Sequence, residues 1–324
     1  MKTSRVELER MADTQGHRSE LLEKVLWMLD LLQAIYQDKY LSDRLALKGG
    51  TALNLFVLNF PRLSVDIDLN YIGSADLSIA EKERPEITNA LSRLCRGMGL
   101  NPGPQPDQHA GGKWHLNYPG HVTASGNLEV DLNFLQRVPL WPTTLGDSVV
   151  VGKHQAKNVR IMDVHELAAG KLTALLSRTA ARDLFDAASL AGIKALDIEK
   201  LRLAFVVYGA GSRTDWRTVT AKDITVDPKD IENRLVPMLS ETAVPASKDL
   251  GPWISNLGDK AHRFVEKVLP LSDPELAFLE RLLESGEIEA DLLTKDAALA
   301  AKIQTAPGLL WKAKNVKSYR KNAK

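Results

Sequence analysis

The sequence predicts an α+β protein, with a mixed-sheet core over roughly residues 40–190 and a mostly helical C-terminal part. Three observations carry this. Residues 63–71, "LSVDIDLNY", and 126–135, "GNLEVDLNFL", alternate with the period of two that strands show. Residues 18–40 space Leu21, Leu22, Val25, Leu26, Leu29 and Leu32 as one face of a helix does. Beyond about residue 190 alternation gives way to helical runs such as "DPELAFLERLLESG". The expected domains are therefore 1–190, the core with its N-terminal helix, and 191–324, a helical domain with a basic tail.

The elements follow in order. A second helix is expected from just after Gly50 to about Asn59, where Pro61 breaks the pattern before the strand at 63–71. Residues 82–98 read as helix, and "NPGPQPDQHAGG" (101–112) as loop. "KWHLNY" and "GNLEVDLNFL" read as strands paired through the "PGH" turn. Asp163 and Glu166 have capping-box spacing ahead of "VHELAAGKLTALLSR".

Composition excludes several classes. With 44% hydrophobic and 26% charged residues, the chain is globular and not disordered. Its longest greasy run, "VLWMLDLLQAIY", is too short to span a bilayer and is interrupted by Asp30 and Gln33. The first residues lack the apolar centre of a secretion signal, and Cys95, the single cysteine, allows neither a disulfide framework nor a thiolate cluster. A cytoplasmic protein with no membrane partner is the expectation. Cys95 reads as a small buried hydrophobe, and Trp114, Trp141 and Trp311 as core residues, with base stacking the alternative for the tryptophans. The histidines lack metal-ligand spacing, and "YGAGSR" (208–213) lacks the Gly-Lys-Ser/Thr ending of a phosphate loop. The net charge of +1 hides an acid-free end: no acid follows Asp296, and from Trp311 onward there are six Lys or Arg. Such a tail suits a polyanion, and a merely solvated terminus has the same composition.

The candidate chemistry begins at Asp66 and Asp68. Strand alternation puts both carboxylates on one face and Val65, Ile67 and Leu69 on the other. Neighbouring ionised carboxylates repel unless something neutralises them, and Mg²⁺ favours one or two carboxylates plus substrate phosphates. A solvated strand face yields the same short pattern. The strand "LEVDLNFL" repeats the design with Glu129 and Asp131. If it lies beside the first, Asp131 becomes a third metal ligand, with Glu129 the alternative. Gly49-Gly50 lets the backbone approach a phosphate, and Thr51 opens a helix whose free N–H groups attract anions. Further on, Lys171, Arg178, Arg182 and Asp186 span a narrow arc if "KLTALLSRTAARDLFDAASL" is one continuous helix. Lys171 then suits a triphosphate, Arg178 or Arg182 a phosphate or RNA backbone, and Asp183 and Asp186 orient those cations. A solvated face with Arg182 paired to Asp186 fits the same spacing.

In combination, "KGGTAL", Arg62-x-Ser64-x-Asp66-Ile67-Asp68, Lys171 with "LLSR", and "RDLFD" resemble the AbiEii family of nucleotidyltransferase toxins. That family belongs to the DNA polymerase β-like, minimal nucleotidyltransferase superfamily. The resemblance implies a polymerase β-like core with Gly49, Gly50 and Thr51 at the nucleotide phosphates and Ser64 beside them. Asp66 and Asp68 would hold Mg²⁺, with Mn²⁺ as an alternative and Asp131 or Glu129 as the third carboxylate, and Lys171 and Asp186 would complete the catalytic set. Arg182 stands where several relatives carry Lys. The implied activity is transfer of a nucleoside monophosphate from an NTP to an RNA acceptor, the tRNA 3′ end. Pyrophosphate is released, growth is arrested, and a cognate antitoxin silences the toxin. The helical C-terminal region and basic tail would hold the RNA. The rival expectations are transfer to a small molecule or protein hydroxyl, and a non-catalytic nucleotide- or RNA-binding module.

Overall fold

Strands that bury only one face need helices to cover it, and the computed structural model supplies them. It describes residues 3–104, 110–246 and 249–322. The chain divides into two units, one made of residues 1–137, 143–162 and 232–248, the other of 138–142, 163–231 and 249–324. This division leaves residues 163–190 with the second unit, whereas the sequence pattern placed them with the sheet.

In the first unit, helices α1 (Arg5–Gln15) and α2 (Ser19–Gln37) and the turn α3 (Lys39–Ser42) precede strand β1 (Leu45–Lys48). Helix α4 (Gly49–Ala52) follows without a linker and widens into a π-helical turn over Leu53–Val57. Strand β2 (Asp66–Tyr71) and helix α5 (Leu77–Gly97) come next, then β3 (Asn101–Pro102), β4 (Gly111–Pro119), β5 (Ser125–Asn133), β6 (Thr144–Gly146) and β7 (Val159–Ile161). Among the described residues these form one seven-stranded mixed sheet in the order β3-β4-β5-β2-β1-β7-β6. The β4–β5 hairpin closes as expected, with Pro119 opposite Ser125.

Several boundaries differ from the sequence pattern: the stretch 101–112, expected as loop, holds β3 at Asn101–Pro102 and the first residues of β4 from Gly111, and 105–109 lie outside the described residues. Pairing in β2 begins at Asp66, because the Leu63 amide donates to the Met238 carbonyl at 2.7 Å, outside the sheet. Helix α5 begins earlier than expected, where the Asp76 carboxylate caps the Ser78 and Ile79 amides.

Alternation separates the two sheet faces. Leu45, Leu47, Ile67, Leu69, Val130 and Leu132 are buried on one, as are Leu22, Leu26, Leu29 and Leu32 of α2. Each such side chain contributes about 1.5–3 kcal/mol on burial. The Trp27 ring of α2 lies 5.3 Å from that of Tyr118 on β4. The opposite face carries the acids.

The second unit is helical: α6 (Val164–Arg178), α7 (Ala181–Leu190), α8 (Ile198–Ala210), α9 (Pro228–Asp230), α10 (Gly251–Val265), α11 (Asp273–Glu280), α12 (Ala297–Gln304) and α13 (Pro307–Asn322). Its core includes Leu172, Leu175, Leu184, Phe205, Phe264 and Phe278. Cys95 and Trp114 are buried as expected, but Trp311 is 51% exposed. Among the described residues no helix is long and apolar enough to cross a membrane.

Candidate active site

Register decides which charges meet on the polar face. Lys48 of β1 lies opposite Asp68 of β2, Asp68 beside Asp131 of β5, and Asp131 opposite Lys113 of β4. Paired residues share a face, so four neighbouring strands present the row Lys48, Asp68, Asp131, Lys113. A second row aligns Asp66, Glu129 and His115. The ambiguity between Glu129 and Asp131 gains a physical distinction here. Glu129 is tied to Lys113 at 3.1 Å and lies 3.7 Å from His115. Burial alone would raise its carboxyl, but Lys113, His115 and Lys24 hold it below the ordinary value. Asp131 sits directly beside Asp68.

The sequence pattern did not single out Lys48 or Lys113. Lys48 Nζ donates to Gln136 Oε1 at 3.2 Å. Burial lowers the Lys48 pKa, against the opposing pull of Asp68 and Asp131. Lys113 is raised by its bond to Glu129, with Asp131 and Asp66 adding to the effect.

The glycine step has a steric reason. Gly49 has φ +72°, in the left-handed region, and a Cβ there would collide with the Asp68 carboxylate. The start of α4 therefore abuts Asp68. Thr51 and Ser64 are buried and committed. The Thr51 hydroxyl donates to the Asp66 carbonyl and lies 3.0 Å from the Ser64 hydroxyl, bracketing the helix to the strand. On the same face as the aspartates, the buried Asn70 side-chain oxygen accepts no hydrogen bond.

Within the second unit, the expected continuous helix breaks. Thr179 adopts φ 48° at the end of α6, and α7 starts afresh at Ala181. The turn folds Asp183 and Asp186 back onto Lys171, whose Nζ lies 3.0 Å and 2.8 Å from them. The single-helix arc is thus corrected, while the pairing of acids with Lys171 stands. Arg178 Nε lies 2.7 Å from Asp183, and Arg182 is exposed. Asp183 and Asp186 are 2% and 0% exposed, so these acids rely on their cations. Burial would raise the Asp183 carboxyl, but Lys171 and Arg178 hold it below its ordinary value.

Comparison with known proteins decides the family. Residues 30–251 match the model for the nucleotidyl transferase AbiEii toxin of type IV toxin–antitoxin systems. The chain belongs to this family. It is a nucleotidyltransferase, and membership implies an NTP substrate and an antitoxin partner. No curated protein matches it by sequence. Its fold is similar to that of MenT4, a nucleotidyltransferase toxin from Mycobacterium tuberculosis H37Rv. The TM-score is 0.58 at 18% identity, covering 95% of this chain and 99% of that one.

A metal fits this AbiEii site in part. Carboxylate oxygens are hard ligands suited to Mg²⁺ or Mn²⁺, and the unsatisfied Asn70 oxygen lies on the same face. Among the described residues, however, no three carboxylate, imidazole or thiol groups gather closely enough to hold an ion alone. Of the expected trio, Asp68 and Asp131 are register partners while Asp66 lies in the next row opposite Glu129, and the three are not drawn together. A donor set completed by substrate phosphates is the arrangement Mg²⁺ favours.

Proposed function

We propose that this nucleotidyltransferase moves a nucleoside monophosphate from an NTP to the 3′-hydroxyl of an RNA, with the tRNA 3′ end as acceptor and growth arrest as the consequence. The observation that carries the reading is the row Lys48–Asp68–Asp131–Lys113 set against the Gly49 turn. Asp66, Asp68 and Asp131, completed by substrate phosphates, would hold Mg²⁺, which would supply Lewis-acid polarisation at the α-phosphate and at the attacking hydroxyl.

The remaining roles fall to the chain's own groups. The backbone at Gly49 and Gly50 admits the phosphates, while Thr51 and Ser64 hold the carboxylate strand in place. Lys48 and Lys113 balance the aspartates and offer their ammonium groups to phosphate oxygens. Lys171, oriented by Asp183 and Asp186, neutralises the β- and γ-phosphates. Arg178 and Arg182 contact acceptor phosphates. As the acceptor oxygen bonds to the α-phosphorus, the bridging bond to the β-phosphate breaks and pyrophosphate leaves with its electron pair. An aspartate of the row takes the hydroxyl proton.

The test is transfer from each of four α-labelled NTPs to total tRNA, with the Asp68→Ala variant alongside. Label on tRNA that vanishes in the variant is the expected result. Label on a protein or small molecule would replace the acceptor. Label undiminished by Asp68→Ala would overturn the site.

A further inference from the structure

Helix α13 holds an unusual outer face. It packs through Leu309 and Ala313, which are buried, and Val316, which is half-buried. Lys312 Nζ donates to the Ser212 carbonyl at 2.9 Å, and Arg320 lies 3.3 Å from Glu284. These contacts fix one side of the helix. At 100° per residue, Trp311, Lys314, Asn315, Ser318 and Lys321 fall on the opposite side, with Lys317 and Tyr319 at its edges.

That side combines two features. Among the described residues, Trp311 and Tyr319 are the strongly exposed aromatic side chains, at 51% and 78%. Around them Lys314, Lys317 and Lys321 are exposed and make no ion pair among the described residues. No acid occurs after Asp296 to neutralise them. An exposed lysine needs no ligand, but a tryptophan half in water on an ordered helix is a costly residue to leave uncovered. Cations beside bare rings are the surface that binds unpaired nucleic acid, where rings stack on bases and ammonium groups track phosphates. A protein partner of mainly apolar character would not call for an acid-free run of lysines.

From this surface we infer that the outer face of α13 docks an unpaired segment of the RNA acceptor. The inference rests on the RNA-transfer reading above and deepens it. Trp311 and Tyr319 lie eight residues apart, about 12 Å along the helix, and serve as two separate stacking platforms. Lys314, Lys317 and Lys321 contact the backbone between and beside them. The surface selects single strands over duplex, because paired bases present no free ring face.

The experiment measures binding of fluorescent single-stranded RNA and duplex RNA to the full-length Asp68→Ala protein, which needs no catalysis. Trp311→Ala and Tyr319→Ala should each weaken single-strand binding about tenfold. The triple variant Lys314→Gln, Lys317→Gln, Lys321→Gln should flatten the log–log salt dependence by about 2, at roughly 0.7 per phosphate contact. Circular dichroism melting confirms that the exposed substitutions leave the fold intact. In active protein, the same variants should raise KM for RNA with kcat unchanged.

Unchanged RNA binding in all these variants overturns the inference while leaving RNA transfer standing. Equal loss of duplex and single-strand binding overturns the stacking role. Binding of anionic vesicles in place of RNA overturns the choice of ligand. RNA binding lost on ring removal in a protein that transfers nucleotide only to other acceptors would retain the surface and reject the transfer reading.

Discussion

Raising the pH from about 5 to about 8 should weaken the anchoring of α6 through one residue, Glu166. The sequence suggested a capping role, but only Asp163 caps the helix. Glu166 is 2% exposed and accepts from the Leu140 amide at 3.1 Å, the Trp141 amide at 3.2 Å and the Tyr208 hydroxyl at 2.6 Å. Burial is the largest influence and pushes its carboxyl up to about 7; the three hydrogen bonds oppose it and Asp163 adds to it. The ordinary value is 4.5, so between about 4.5 and about 7 the folded chain holds a proton that the unfolded chain has released. Stability therefore falls as pH rises through that window, and the loss is complete above it.

At 1.36 kcal/mol per pH unit the gap amounts to about 3 kcal/mol, several degrees of melting temperature for a unit of this size. Glu166→Gln removes the titration. Urea unfolding of wild type and variant at intervals from pH 5 to pH 8 should show the wild type losing stability relative to the variant as pH rises. Parallel profiles would refute the assignment, as would a wild type that gains on the variant. Because α6 also carries Lys171, wild-type transfer should decline with the same midpoint where stability is limiting.

Three further outcomes are expected. Gly49→Ala forces an ordinary side chain into the left-handed region, at about 1–2 kcal/mol, and drives a methyl group into the Asp68 carboxylate. Transfer should fall more than tenfold, read by initial rates, with a small drop in melting temperature. Lys48→Gln keeps a side chain able to bond Gln136 but removes the charge that flanks Asp68, leaving only Lys113 beside Asp131. A kcat loss of about tenfold that Lys48→Arg partly restores is the expected pattern, and equal loss in both variants would reject a charge role. Asp183→Asn removes a 2% exposed acid from two cations and should cost about 3–5 kcal/mol in denaturant unfolding.

What the sequence could show, and what it could not, divides along the range of the interactions. Period-two alternation around Asp66 and Asp68 and around Glu129 and Asp131 placed the acids on one face, because that depends on neighbours in the chain. Lys48 and Lys113 escaped notice because their place depends on register between strands far apart in sequence. "LLSRTAARDLF" contains no glycine or proline, so the helical pattern ran on through Thr179. The actual break there lets two buried acids reach Lys171, a tertiary demand that outweighs local propensity. Glu166 had the right spacing for a cap, but the Leu140 and Trp141 amides claimed its carboxylate. Likewise, nothing local in 232–248 signals that this stretch groups with the sheet unit.

Two aspartates on adjacent strands lie about 5 Å apart, and at an effective dielectric of 20 their repulsion is about 3 kcal/mol. A strand pair carrying only that repulsion would be a poor choice for the centre of a sheet. Lys48 on one side and Lys113 on the other offset that repulsion: Asp68 and Asp131 pull on the buried Lys48, and Lys113, bonded to Glu129, is also drawn by Asp131. The sheet can then form before any cation or nucleotide arrives. This has a consequence for catalysis. A lysine that balances an aspartate would be free to turn toward a phosphate if a divalent cation held by the carboxylates took over the balancing. In the proposed transfer the same two side chains would then be the ones to receive the triphosphate, although neither lies in the acidic motif.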